Sequence, residues 1–423
     1  MKKTSHHPAP SFKPIIAWAF YDWATGAFPT LVVTFIFATY FTKAVAKNPV
    51  IGMAHWGDAM AIAGLFIALL SPITGAIADH QGRRKPWLLF CVILLILSTG
   101  SLWFIKPSLH YATAMLMMVI TGTIGYEMGA VFYNAMLQQI APPDYIGRVS
   151  GWGWGFGYVG GLICLILALI FFVKPVWPIF HFNINAAEQI RICGPYISLW
   201  IILFSWPIFV FTPDRPSVNI TIRQAVSRAF KTLLKTLRAL PSHRNIFIFL
   251  IARMIYTDGL NALFAFGGIY AAGTFGLTFS QVMEFGIGMS LTAAMGAGIF
   301  AWFDDLVGAK KVILVSLFFL MVLGISILVT HSTVWFWILA LTLGLFIGSI
   351  QSASRSFMAR IAPKEIVTEL FGLYALSGKA TAFINPWLIG LLTMTFGSQR
   401  IGMSSIFVFL LVGSLLMLKV GNS

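Results

Sequence analysis

The sequence predicts an all-α polytopic membrane protein, with twelve transmembrane helices arranged as two pseudo-symmetric six-helix bundles. Three observations carry that prediction. The 423 residues are 58% hydrophobic and 10% charged, with a mean hydropathy of +0.87, whereas a soluble chain carries about 25% charged residues. Twelve apolar runs of membrane-spanning length are separated by short polar turns. Finally, one loop occurs twice. Asp79-His80-Gln81-Gly82-Arg83-Arg84-Lys85 returns 226 residues later as Asp305-Leu306-Val307-Gly308-Ala309-Lys310-Lys311. Duplication of a multi-span unit is a sequence mark of transporters.

The spans run roughly over 15–43, 53–79, 87–105, 110–139, 149–173, 195–212, 244–273, 280–303, 312–330, 333–358, 370–396 and 401–419. Backbone groups in lipid must be satisfied internally, so each is a helix, and the alternating pattern of a β-barrel is absent from the sequence. The polar stretch 1–14 precedes a first span too long for a signal-peptide core and not followed by a small-residue cleavage site, so that span is expected to be retained. A net charge of +15 raises a nucleic-acid reading, which the placement of the charges rejects. With the N-terminus inside, 19 of the 28 Lys and Arg fall in cytoplasmic segments. Such asymmetry places both termini in the cytoplasm and points to contact with anionic lipid. Cys91, Cys164 and Cys193 have no pair spacing, so neither a disulfide framework nor a metal cluster is expected.

The domain reading follows: 1–212 as an N-terminal six-helix bundle, 213–243 as a linker and 244–423 as a C-terminal bundle. The linker holds Arg215, Arg223, Arg228, Lys231, Lys235 and Arg238 against Asp214, with apolar residues at helical spacing. It reads as an amphipathic helix on the inner leaflet, with a partner-binding helix as the alternative. Two further echoes align the halves. Ala141-Pro142-Pro143-Asp144 with Gly151 matches Ala362-Pro363-Lys364-Glu365 with Gly372, and Asp22 with Phe28 matches Asp258 with Phe264. Two parallel six-helix repeats are the arrangement of the major facilitator superfamily. There, helices 1, 4, 7 and 10 line the cavity and helices 3, 6, 9 and 12 face lipid. Spans 3, 6, 9 and 12 carry no Asp, Glu, Lys or Arg in their apolar cores, whereas Asp22, Glu127, Arg253, Asp258, Arg355 and Lys379 fall on spans 1, 4, 7, 10 and 11. A charge facing lipid costs about 2.5–3.5 kcal/mol on insertion scales, so these face the interior.

Four segments resemble a narrower family: Tyr21-Asp22-Trp23-Ala24; Phe132-Tyr133-Asn134-Ala135 leading to Gly147-Arg148-Val149-Ser150-Gly151; Ala252-Arg253 with Asp258-Gly259-Leu260-Asn261; and Phe371-Gly372-Leu373-Tyr374-Ala375-Leu376-Ser377-Gly378-Lys379-Ala380. Together they look like the "unknown major facilitator" family, whose eukaryotic relatives are the autophagy-related vacuolar amino-acid effluxers. The resemblance spans nearly the whole chain and implies a secondary transporter, with amino-acid export as the substrate class. Short termini and loops look bacterial and imply the inner membrane.

In the superfamily the repeated loop latches the cytoplasmic side in the outward-open state. In the first copy, Asp79 is expected to cap a neighbouring helix or pair with Arg83, Gly82 to permit the turn, and Arg83, Arg84 and Lys85 to anchor to headgroups. Plain positive-inside anchoring is the alternative. The second copy keeps Asp305, Gly308, Lys310 and Lys311 but has Ala309 at a basic position and a doubled acid, Asp304-Asp305.

The candidate substrate- or proton-binding groups are Asp22, Glu127, Arg253, Asp258, Asn261 and Lys379. Asp22 sits roughly 10 Å into its span, Asp258 and Glu127 roughly 20–25 Å, and Lys379 roughly 13 Å, at about 1.5 Å per residue. Buried carboxylates can carry a proton through an alternating-access cycle, and arginine suits a substrate carboxylate or phosphate. Structural pairing of three acids with three bases is the alternative. Asn261 shares a helical face with Asp258. Tyr21, Trp23, Tyr126, Tyr133 and Tyr256 flank the charges, as pocket lining or as ordinary core. Arg355 is assigned to interdomain structure. Gly155, Gly157 and Gly160 match a G-x-G-x-x-G pattern, but without the strand a dinucleotide site needs. Spans 5 and 8 are instead expected to meet through small residues as a sliding contact. Pro29, Pro72, Pro207 and Pro386 should bend their spans.

The reading is therefore a transporter moving a small polar metabolite by alternating access, proton-coupled, without enzyme activity, cofactor or metal, and monomeric. Its alternatives are uptake of an organic anion or metal chelate, and a non-transporting receptor of the same fold.

Overall fold

A computed structural model describes residues 12–173, 181–216, 218, 234–236, 238, 240 and 243–421. Among them, eleven unbroken helices are long and apolar enough to cross a membrane. They are α1 (Phe12–Val45), α2 (Ile51–Gln81), α3 (Lys85–Phe104), α4 (Leu109–Ile140), α5 (Pro143–Val173), α6 (Glu188–Phe211), α7 (Arg244–Phe275), α8 (Gln281–Val307), α9 (Ala309–Val329), α10 (Thr333–Ile361) and α12 (Gln399–Leu418). Between α10 and α12 lies α11, in two segments, Val367–Lys379 and Ile384–Phe396. The single helix expected over 370–396 is thus corrected to a broken one. Pro386 weakens the helix at that point: it has no N–H, and its ring crowds the carbonyl four residues back, at Ala382, within the interrupted turn. Pro29 acts differently, and α1 relaxes into π-helix from Phe28 to Phe35. Pro72 and Pro207 lie inside helices that continue past them.

Within the first six helices, α1 packs on α5 and α6, and α3 on α4 and α6. Within the last six, α7 packs on α12 and α11, and α9 on α10 and α12. The two sets meet crosswise, α2 on α11 and α5 on α8, with α5 also against α10. The amphipathic helix expected in 213–243 falls largely outside the described residues. Large apolar side chains point outward from α3, α6, α9 and α12, among them Phe90, Leu97, Leu203, Phe318 and Leu415. Bare apolar faces of that extent suit lipid rather than water.

The cross-contacts are close because the helices carry small residues there. A Cβ on Gly372 would run into the Ser71 carbonyl, one on Gly75 into that of Thr368, and one on Gly151 into that of Ala297. The small-residue contact expected between spans 5 and 8 is present on the α5 side. On α8 its partners are Ala294, Ala297 and Ala301, whereas Gly296 packs against Leu345 of α10.

Candidate functional site

A cavity of about 790 Å³ lies between the two sets of helices. Its floor is formed by Tyr21, Asp22, Tyr133 and Arg355, and it extends along α1 to Thr39 and along α8 to Val282, away from the face that carries the repeated loops. That volume is in the range of small-molecule sites. The charged residues on its wall are Asp22, Glu127, Arg253, Arg355 and Lys379.

Both acids are paired across the two sets of helices. Asp22 on α1 meets Arg355 on α10 at 3.0 Å and accepts a hydrogen bond from Tyr133 Oη at 2.7 Å. Arg355 also donates to Ser150 Oγ at 2.9 Å, to the Ser150 carbonyl at 2.5 Å and to Asn134 Oδ1 at 3.3 Å. With its guanidinium 4.8 Å from the Trp18 ring, it fills the floor of the cavity. Glu127 on α4 meets Lys379 at 2.7 Å, and Lys379 is the last residue of the first α11 segment. A cation at that position also suits the negative end of the helix.

Arg253 on α7 is held differently. It donates to the Tyr374 carbonyl at 2.6 Å and to Ser377 Oγ at 2.7 Å, and lies over the Tyr374 ring. Among the described residues no carboxylate pairs with it, and its Nε has no hydrogen-bond partner. Asn261 donates to the Gly378 carbonyl at 3.3 Å, and Tyr256 shares a hydrogen bond with Ser354 at 2.8 Å.

Nine of the eleven expected binding residues line the cavity, and two do not. Trp23 lies in an aromatic cluster with Phe156, Trp200 and Phe204. Asp258 is fully buried against the second α11 segment and α12. On α7 the cavity face runs through Arg253, Thr257, Leu260, Asn261 and Phe264. Three residues of helix rotate a side chain by about 300°, enough to take Asp258 off the face that Asn261 keeps.

At the loop face, Asp79 reaches across to α11. It accepts from the backbone N–H of Thr368 at 2.8 Å and of Glu369 at 2.9 Å, and from Thr368 Oγ1 at 2.6 Å. These are the free N–H groups of a helix N-terminus, which a carboxylate satisfies. Its cations are Arg84 at 3.3 Å and Arg215 at 3.4 Å, not the expected Arg83, which is exposed. Arg84 is fully buried and also donates to the Ala135 carbonyl at 3.1 Å. Burial pushes its guanidinium down to about 10, against the pull of Asp79, so it remains charged at neutral pH. Lys85, expected on headgroups, donates to the Phe209 and Thr212 carbonyls at the end of α6. Gly82, at φ 85°, sits where a side chain would be strained.

The second loop builds the same contact with different cations. Asp305 accepts from the N–H of Gly147 at 2.7 Å and of Arg148 at 3.0 Å, at the start of α5. Arg148 and Arg360 pair with it at 2.9 and 2.7 Å, and Arg360 also holds Asp304 at 3.2 Å. Lys310 instead bonds the Leu418 and Val420 carbonyls at the end of α12, and Lys311 is exposed. Gly308 makes the turn at φ 92°.

Residues 59–422 match the family described as vacuole effluxer Atg22 like. The chain belongs to that family. YxiO of Bacillus subtilis (strain 168), an uncharacterized MFS-type transporter, is 28% identical over 400 residues, 94% of this chain and 92% of YxiO. Autophagy-related protein 22-1 of Neosartorya fischeri is 23% identical over 295 residues, 63% of this chain and 46% of the fungal protein. The proton:xylose symporter XylE bound to 6-bromo-6-deoxy-D-glucose superposes with a TM-score of 0.75 at 13% identity, covering 97% of this chain and 96% of XylE. FucP in the outward conformation gives 0.74 at 13% identity, covering 97% and 99%. At those identities the likeness shows the fold, which is the twelve-helix major facilitator fold of a multi-pass membrane protein. Family and fold are those of transporters, not enzymes.

Sequence reasoning passed over several residues that this Atg22-like chain places in contact with the site. Arg355, read as interdomain structure ahead of ligand contact, joins the two sets of helices through Asp22 and also lines the cavity. Tyr158 and Gln351 join α5 to α10 through a 2.6 Å hydrogen bond on the cavity wall. Arg148 and Arg360 complete the second loop contact. A signal for them existed: each lies within a few residues of the duplicated Ala-Pro loops, at 141–144 and 362–365.

Proposed function

We propose that the chain is a secondary transporter of a small carboxylate-bearing polar metabolite, an amino acid in the first instance. It works by proton-coupled alternating access in a bacterial inner membrane, with both termini cytoplasmic. On that orientation the repeated loops seal the cytoplasmic side and the cavity extends outward. One observation carries the reading. On the cavity wall both acids are already paired across the two helix sets, while Arg253 has no acidic partner among the described residues. Arg253 is thus the group prepared for a substrate carboxylate, which its fork-shaped donors suit. Glu127, released from Lys379, supplies an acceptor for an ammonium group. Asp22, held by Arg355 and Tyr133 and open to the cavity, supplies a carboxylate for proton exchange.

Three bases against two acids on the wall favour a second reading, in which the cargo is an organic anion without an amino group. Thermal unfolding of the purified protein against an amino-acid panel, each member paired with its N-acetyl form, separates the two. The amino-acid reading expects stabilisation by free amino acids, lost in Arg253→Gln and in Glu127→Gln. Equal stabilisation by the acetylated partners would move the assignment to organic anions. Stabilisation that survives Arg253→Gln would refute both.

A further inference from the structure

The linker between the two sets of helices is tied into the first loop contact at both of its described ends. Asp214 accepts from the backbone N–H of Arg84 at 3.0 Å and of Lys85 at 3.3 Å. Those N–H groups open α3, so Asp214 caps that helix. The Val218 N–H donates at 3.0 Å to the carbonyl of Gln81, the last residue of α2. Between these anchors the chain lies so close that a Cβ on Gly82 would run into the Pro216 carbonyl. All of them belong to the first set of helices.

Arg215 stands between the anchors and reaches into the second set. Its guanidinium meets Asp79 on α2 at 3.4 Å and donates to the Lys364 carbonyl, in the turn before α11. It can make both contacts only while the ends of α2 and α11 lie together. Asp214 fixes its neighbour Arg215 to α3, so the arginine cannot follow α11 when the two sets part. At the far end of the linker, the Thr236 hydroxyl bonds the carboxylate of Glu369, in the first turn of α11. Glu369 is 1% exposed and its Oε1 has no hydrogen-bond partner, so among the described residues this carboxylate depends on Thr236. The Glu369 N–H in turn donates to Asp79 at 2.9 Å. The start of α11 is thus held by the linker from two sides, directly at Glu369 and through Asp79. The second loop contact differs, because its cations Arg148 and Arg360 come from α5 and α10.

We propose that the linker is a strap over the first loop contact, with Asp214 as its anchor and Arg215 as its clasp, and that it biases the protein toward a closed loop face. A contact made in one conformation alone shifts the equilibrium by its own free energy. Losing a charge-assisted hydrogen bond and a partly solvated ion pair shifts the closed-to-open ratio by about fivefold to tenfold. The bias needs no cargo, so its test is independent of the cavity reading, and either can fail without the other. The full-length protein in detergent would carry spin labels at Arg83→Cys and Glu365→Cys, exposed positions on either side of this face, and be measured without substrate. Arg215→Gln is expected to move the population toward longer distances by that factor. Asp214 bonds α3 and its own neighbour rather than α11, and Asp214→Ala is expected to lengthen the distances as well because the anchor is gone. Unchanged distances in Arg215→Gln, with a lowered unfolding midpoint, would overturn the strap and leave Arg215 a stabilising contact. Longer distances in Arg215→Gln but not in Asp214→Ala would overturn it too, because an isolated ion pair needs no anchor. Should either variant not fold, Thr236→Val decides on the same readout: longer distances support the strap, and unchanged ones overturn it.

Discussion

Replacing Asp79 with asparagine keeps the side chain's shape and removes its charge. In the conformation described here Asp79 is almost fully buried and accepts three hydrogen bonds from the start of α11 while two arginines press on it. All three acceptor contacts cross from α2 to α11, so they exist only while the loop face is closed. A hydrogen bond to a charged group is worth about 1.5–3 kcal/mol. Both backbone N–H groups donate to Oδ2, which asparagine's one acceptor oxygen can replace, whereas the Thr368 hydroxyl contact and both ion pairs on Oδ1 are lost. A net bias of about 2 kcal/mol toward opening follows, which is a shift of about 30-fold in the closed-to-open ratio.

The assay is a distance distribution between spin labels at Arg83→Cys and Glu365→Cys, which lie on exposed positions on either side of this contact. The three native cysteines are buried and should label poorly. The Asp79→Asn protein should populate longer distances than its parent. Superimposable distributions, with the unfolding midpoint lowered all the same, would refute the reasoning. Asp79 would then be a stabilising cap and not a conformational latch.

Three further outcomes are expected. Glu127→Gln and Lys379→Met should each lower the unfolding free energy by about 1 kcal/mol because the pair is partly solvated, and the double variant should recover most of the loss; simple additivity would refute the pairing. Arg253→Lys keeps the charge but gives up the fork, so affinity for a carboxylate ligand, read by thermal shift, should fall about tenfold. Gly372→Ala drives a Cβ into the Ser71 carbonyl, a conflict of about 1–3 kcal/mol. It should widen the same label distances as Asp79→Asn, and a closed distribution in that variant would refute the close-contact account.

Helix number and order were legible because lipid demands long apolar runs, a signal that needs no tertiary information. The cavity charges were legible for the same reason: Asp22, Glu127, Arg253 and Lys379 have no tolerable place except the interior. Direction on the helix was harder to read. Asp258 and Asn261 are one turn apart, yet the first faces α11 and the second the cavity, a difference of rotation that hydropathy does not encode in a helix buried on most sides. The break in α11 was signalled by Pro386, but the sequence alone did not separate a bend from an interruption. The loop repeat misled in one respect. Aligned residue by residue, Lys310 answers to Arg84, whereas in the structure it takes the helix-end role of Lys85, and the arginines of the second contact come from α5 and α10. The backbone geometry is duplicated, and the cations that serve it are drawn from wherever the chain supplies them.

Both loop contacts lead back to the same pair of charges on the cavity floor. From the second, Asp305 caps α5 at Gly147 and Arg148, and Ser150 just beyond is held by Arg355 through its hydroxyl and its carbonyl. The same α10 segment carries Ser356 and Arg360, which bind Asp304 and Asp305. From the first, Arg84 bonds the Ala135 carbonyl, and the two residues before it, Asn134 and Tyr133, bind Arg355 and Asp22. The Asp22–Arg355 pair is therefore within one or two residues of each latch through direct hydrogen bonds. On the proposed reading, a cargo or proton that takes Asp22 from Arg355 would act on α4, α5 and α10 together, each within a turn of a loop contact. Coupling through such contacts needs no long path, because the residues of α4, α5 and α10 that hold Asp22 and Arg355 stand within a turn of residues that the loop contacts hold.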